Sequence, residues 1–415
     1  MALDLGKSAP QIAKMAESLK ARVGERQRRL DAALRQLRDP LGNVTYEALQ
    51  KRIRASLPPR RKITWGMAAL PDGEALDSVY RAPAHMKEYA VVATDGSQIE
   101  PDRHGEARYF LLNSGGIYVR YGPKPEAEIF SHPSLFAKPE ELVITDPEDS
   151  FRQQQIDETL LGELRMVMEA EALAGRVGKL DPGLPVLALL DGTLIRFVYT
   201  GSRYDDFVRK KLLERGLLQA FDRLYEMSTS RRVAFASYIS KPGSHEVVNL
   251  LRAAHCPHTG VEEAGCAVIC AKTGPGKMEC DDVAKGLTDA DLFAGLLDVG
   301  ERSALFPTQA PIVQLYGPHA VWSCYVNTGE EIARLEMPAW VARDAKAVDF
   351  MHAAILDQCK KGRGYPLALQ EAHEAAVVTM GDKQNFQRVL DSTMVSHGMG
   401  RGTSAKARSK RVRAV

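Results

Sequence analysis

Two aspartates in this 415-residue chain sit in similar surroundings, Asp95 in "VVATDGSQIE" and Asp191 in "VLALLDGTLIR". Each follows a β-branched or apolar run and precedes Gly-Ser or Gly-Thr, the pattern of a strand that stops on a carboxylate and turns through a glycine. Two carboxylates at the ends of neighbouring strands offer hard oxygen ligands that suit Mg²⁺ or Mn²⁺. Two-metal nucleases use such a pair to position a water for in-line attack on phosphorus while stabilising the leaving oxygen. The plainer alternative at either position is a turn in which the Asp caps its own backbone.

A third acidic ligand has three candidates on the helix expected over 151–176, Glu163, Glu169 and Glu171. Glu169 has Arg165 one turn earlier, the spacing of a surface ion pair, and spacing alone does not rank the three. In "SYISKPGSHEVVNLLR", Tyr238 and Lys241 stand near the end of another expected strand. A hydroxyl and an ammonium there can contact a phosphate or orient a water. His373, in "YPLALQEAHEAAVV", shares a helix with Leu369, Ala372, Ala376 and Val377 around its core-facing side, and enters the chemistry only if that helix faces the carboxylates. Cys256, Cys266, Cys270 and Cys280, with His255 and His258 nearby, raise a zinc or iron–sulfur site. No CxxC pair is present, so buried free thiols are the default reading.

These residues need elements to position them. Residues 9–38 carry Ile12, Met15, Leu19, Val23, Leu30, Leu34 and Leu37 among many charges, which predicts a surface or coiled-coil-like helix with a narrow apolar stripe. "SLPPRRK" at 56–62 marks a break. From about residue 86, "YAVVATDG", "ARYFLLNSGGIYVRYG", "PVLALLDGTLIRF", "RRVAFASYISK", "APIVQLYG" and "AVWSCYVNTGEEIARLEMP" read as strands, with helices over 151–176, 204–226 and much of the chain beyond 338. Strands and helices in this order predict an α/β sheet covered by helices, without the strict alternation of a barrel. The expected organisation is an N-terminal helical extension (1–85), a main domain (86–392) and a basic tail (393–415) too poor in apolar residues to fold alone.

Bulk composition narrows the class. Hydrophobic content of 45% and charged content of 26% are those of an ordinary globular protein, and a net charge of +2 does not by itself argue for a nucleic-acid partner. No apolar run is long enough for a membrane span and the N-terminus lacks a secretory core, so the chain is read as cytoplasmic with its six cysteines reduced.

Taken in order, "ATDGSQIEPDRHG", "LLDGTLIRF", "YISKPGSHEVVNLLR", "DLFAGLLDVGERSALF", "CYVNTGEEIARLEMPAW" and "YPLALQEAHEAAVV" resemble the NurA nuclease family, including its bacterial members, over about residues 86–392. The resemblance implies an RNase H-like α/β core and a Mn²⁺-dependent nuclease, with Mg²⁺ possible, acting on single- and double-stranded DNA. It also implies a homodimer that works with a HerA-type hexameric ATPase in the resection of DNA ends. By residue, it implies Asp95, Asp191 and Glu169 as metal ligands, with Glu171 the alternative to Glu169, and it matches the family's strand Tyr to Tyr238 and its helix His to His373. Lys241 is expected to bind substrate. The competing readings are a non-catalytic DNA- or ATPase-binding subunit of the same fold and a hydrolase of small nucleotides.

Overall fold

The structure is a computed structural model that describes residues 4–42, 44–57, 62–63, 65–84, 86–100, 108–270, 278–281 and 285–398. Contacts divide the chain into two units: residues 1–82, 239–314 and 320–335 form the first, and 83–238, 315–319 and 336–415 the second.

The second unit is built on a mixed sheet. Strands β2 (Tyr89–Ile99), β3 (Phe110–Tyr121) and β4 (Glu126–Phe136) form an antiparallel meander, and β7 (Val186–Asp191) and β8 (Val233–Ile239) add to β2 in parallel, giving the order β4-β3-β2-β7-β8. This is the expected RNase H-like arrangement. Parallel strands require crossovers: α3 (Glu158–Gly178) leads from the meander into β7, and a helical stretch over 206–228 leads from β7 into β8. Central parallel strands are covered on both faces, so they read as unbroken apolar runs rather than alternating ones. Ala90–Ala93, Leu187–Leu190 and Ala234–Ala236 accordingly have no exposed surface.

Helix α3 and the helix Leu367–Ala376, here α12, cover opposite faces of this sheet. Side chains alternate along a strand, and Gly96 meets α3 residues whereas Gly115, the register partner of neighbouring Asp95, meets Ala375 and Ala376 of α12. A Cβ on Gly115 would stand 2.4 Å from the Ala376 backbone N, so only glycine lets α12 come this close.

The first unit holds the helices α1 (Leu5–Leu37), α2 (Tyr46–Ala55) and α6 (Glu246–Ala254), the short helices α7 (Val261–Ala264) and α8 (Cys266–Cys270), and α9 (Asp289–Ala294). Its strands run in the order β1 (Val79–Arg81), β9 (Glu301–Ser303), β11 (Val321–Asn327), β12 (Ile332–Pro338), with β10 (Phe306–Pro307) beside β11. The C-terminal half of α1 docks through Ala33 and Leu37 onto the core of this unit, while Leu5, Ile12, Met15, Leu19 and Val23 remain exposed.

Four expectations need correction. The β2 strand does not stop at Asp95 but pairs with β3 through Ile99. "APIVQLYG" forms a 3₁₀ turn over Pro311–Leu315 rather than a strand, because its proline and glycine break a ladder. The β4 strand was not anticipated, since as an exposed edge it carries mostly polar residues. The helix expected over 204–226 is α-helical at Asp206–Arg209 and Leu218–Ser228 but widens to a π-helix over Lys210–Leu217. Of the basic tail, residues 399–415 lie outside the described residues, and a C-terminal helix runs to Ser396. No described helix is long and apolar enough to cross a membrane.

Candidate active site

The two Asp-Gly turns reach the same sheet edge by different routes. β2 and β7 pair in parallel up to Thr94 and Leu190, so Asp95 and Asp191 are the next residues on adjacent strands. Asp191 ends its strand, accepts a 2.9 Å hydrogen bond from the Gly192 N–H, and is followed by a turn in which Gly192 adopts φ +77°. That left-handed conformation favours glycine. Asp95 likewise accepts from the Gly96 N–H at 2.7 Å, yet its strand continues. It is reachable because its neighbour β7 has ended, which leaves one flank of β2 open.

Glu169 comes from α3, where the three candidate glutamates have different surroundings. Glu163 forms a two-pronged ion pair with Arg196, at 2.5 and 3.0 Å, and Glu171 faces solvent. Glu169 is 4% exposed and lies against β2, where its carbonyl accepts from the Thr94 hydroxyl at 2.9 Å. A Cβ on Gly96 would fall 2.5 Å from its Oε1, so the glycine of the first motif makes room for this carboxylate. That Oε1 has no hydrogen-bond partner, and the Arg165 Nε is 3.6 Å away. Burial, above all, and the charges of Asp95 and Asp191 push the Glu169 carboxyl up to about 8, against the pull of Arg165 and Arg196. Asp191 is raised as well, first by loss of hydration and then by Asp95, and is held back by the Tyr365 hydroxyl, the Gly192 N–H and His373.

His373 does face the carboxylates. Its Nδ1 lies 2.8 Å from Asp95 Oδ2, and the imidazole is exposed, so the core-histidine reading of this residue is set aside. Tyr238 is fully buried, packs edge-on against Tyr365 with ring centroids 5.3 Å apart, and offers its carbonyl to the Gly192 N–H at 3.0 Å. It supports the second Asp-Gly turn and Tyr365 rather than standing open to a phosphate. Lys241 belongs to the first unit, where it is exposed, adopts φ +45° and donates its backbone N–H to Glu331 at 3.2 Å.

Reading motifs missed the residues that hold the turn after Asp191. Glu336 is buried and accepts from the Thr193 hydroxyl at 2.8 Å and the Leu194 N–H at 2.9 Å. The Tyr316 hydroxyl accepts from the Arg196 N–H and donates to the Leu194 carbonyl. Tyr365, just before α12, bonds Asp191. A glutamate inside an apolar strand is the signal that marks Glu336; nothing in the sequence marks the other two.

Three carboxylates converging on one sheet edge, one of them desolvated with an unbonded oxygen, form a donor set of hard oxygens that fits a divalent cation. Among the described residues no three such side chains yet stand at coordinating distance. A mixed sheet that carries acidic side chains to the carboxyl ends of its parallel strands places the chain among the α/β proteins with an acidic site at that end. Residues 89–378 match the NurA domain, and the chain belongs to that family. It is therefore a NurA-family nuclease, metal-dependent and with DNA as its substrate. Among solved structures the chain is similar to the crystal structure of LC9-RNase H1, a type 1 RNase H with the type 2 active-site motif, at 12% identity. The match covers 45% of this chain and 85% of that one with a TM-score of 0.19, too loose to add to the strand order itself. No curated protein matches the chain.

Proposed function

We propose that the protein hydrolyses phosphodiester bonds of DNA in the resection of DNA ends, using Asp95, Asp191 and Glu169 to hold Mn²⁺, or Mg²⁺ in its place. The observation that carries this reading is Glu169, a buried carboxylate whose Oε1 has no hydrogen-bond partner beside two strand-edge aspartates. Natural cores rarely leave such an atom unpaired without a use for it. A divalent ion held by these carboxylates would supply the Lewis acidity for activating a water and stabilising a leaving oxygen.

The protein's own groups set the stage for that chemistry. His373 holds Asp95 through its Nδ1, and its exposed ring is placed to take or return a proton at the solvent side. The Tyr365 hydroxyl fixes Asp191, and Tyr238 positions Tyr365. Arg165 donates to the Gly96 carbonyl at 2.5 Å and faces Glu169, offsetting negative charge while no cation is bound. Lys241 is proposed to contact the substrate backbone. Contacts of this kind read phosphate geometry rather than base identity. A homodimer working with a HerA-type hexameric ATPase in the cytoplasm completes the reading.

The test is digestion of end-labelled single- and double-stranded DNA with Mn²⁺, Mg²⁺ or EDTA, with and without a HerA-type partner. The reading requires cation-dependent cleavage that disappears in folded Asp95→Ala and Asp191→Ala variants. A wild-type protein that binds DNA but never cuts it, even with the partner, would instead be a non-catalytic subunit.

A further inference from the structure

Four of the six cysteines fall between Cys256 and Cys280 in the first unit. All four are buried, none is in a disulfide, and each thiol lies within electrostatic range of the other three. Cys266 and Cys270 stand one turn apart on α8. Helices α7 and α8 have four and five residues, too short to be stable through their own hydrogen bonds.

Two guanidiniums border the thiols. Arg52, with 3% of its side chain exposed, acts on Cys256, and Arg252 acts on Cys266 with its Nη2 3.5 Å from Cys280 Sγ. Glu262 and Asp281 each meet one of them, at 3.8 and 3.3 Å, yet the Nε of both arginines has no hydrogen-bond partner. Burial pushes the Cys256 and Cys266 thiols up and the two guanidiniums pull against it, and donors of this kind surround metal-bound thiolates.

We propose that Cys256, Cys266, Cys270 and Cys280 form a tetrathiolate centre that takes one zinc ion or one preformed four-iron, four-sulfur cluster. In either case four S–H groups release their protons to solvent, four metal–sulfur bonds form, and a dication becomes a dianionic centre with no change of oxidation state. No three ligands stand at coordinating distance among the described residues, so loading draws the thiols together. None of the four belongs to the carboxylate site, so this inference stands or falls independently of the proposed hydrolysis.

The experiment is anaerobic purification of the full chain, followed by elemental analysis, acid-labile sulfide assay and visible spectroscopy. About one zinc per chain without colour, or about four irons and four sulfides with broad visible absorption, is the expected result. Cys266→Ser and Cys280→Ser should lose the metal, whereas Cys324→Ser and Cys359→Ser should keep it. Should the first pair fail to fold, the wild-type chain is stripped by chelator under reducing conditions and titrated with Co²⁺, whose thiolate charge-transfer bands report the ligands directly. A wild-type chain that carries no metal and gives no such bands overturns the proposal. So does metal that persists in folded Cys266→Ser and Cys280→Ser.

Discussion

Asp289 in the first unit and Glu169 in the second are both buried carboxylates, and burial is the first cause that raises the pKa of each. Their surroundings differ. Asp289 accepts from the Glu246 and Val248 N–H groups and from the Tyr325 hydroxyl, at 2.8, 2.8 and 2.7 Å. It thereby caps the first turn of α6 from a distant part of the chain, where His245 provides no side-chain cap. Arg334 adds a nearby positive charge. Glu169 has two arginines at longer range, two acidic neighbours, and an oxygen with no hydrogen bond. One carboxylate is saturated by its own fold; the other keeps an oxygen without a hydrogen bond, the feature on which its proposed role as a metal ligand rests. Burial alone would have ranked them together.

Breaking the saturated centre should have the largest effect. Asp289→Ala takes the buried acceptor away from two amides and the Tyr325 hydroxyl, and should cost roughly 3–5 kcal/mol in chemical denaturation. At the open centre, Asp95→Ala should leave stability within about 1 kcal/mol of wild type while cleavage falls by at least about a hundredfold, or ~3 kcal/mol of barrier. If Asp95→Ala unfolds the protein as readily as Asp289→Ala, the contrast fails.

A third substitution acts through space alone. Gly115→Ala drives a methyl into the α12 backbone that carries His373, and should cost about 1–3 kcal/mol while weakening cleavage. Denaturation and rate measured on the same preparation would separate the two losses.

Glu169→Gln sharpens the comparison through pH. In metal-free protein the folded pKa of about 8 exceeds the model value of 4.5, so between these values the folded state holds a proton that the unfolded state has released. Wild-type stability therefore falls as pH rises through this window. The variant does not titrate, so its advantage over wild type should grow from pH 4.5 and level off above about 8, reaching roughly 5 kcal/mol. A flat difference between the two melting curves across pH, in EDTA, contradicts the assignment. The smallest effect belongs to Tyr365→Phe. It removes the hydrogen bond that holds the Asp191 pKa down, and should move the acidic limb of the cleavage profile upward with only a few-fold loss of rate.

Much of the α/β architecture was legible because parallel central strands are written as unbroken apolar runs, as in "YAVVAT" and "VLALL". The polar edge strand β4 carried no such signal, and "APIVQLYG" carried a false one. The motifs marked Asp95 and Asp191 as neighbours on adjacent strands, although β2 does not end at Asp95 as its motif suggested; it is β7 that ends there. Glu169 could not be separated from Glu163 and Glu171 by periodicity, since an arginine one turn away describes a surface pair and a buried one equally well.

By itself, the sequence determined which segments are strands and helices over most of the chain, and which acidic motifs end up near the parallel strand ends, because these depend on local patterning. Only the tertiary structure decided which glutamate is stripped of water, that His373 meets Asp95, and that Glu336, Tyr316 and Tyr365 hold the second turn. Desolvation and hydrogen-bond pairing are properties of what packs around a side chain, and those neighbours come from parts of the chain far away in sequence.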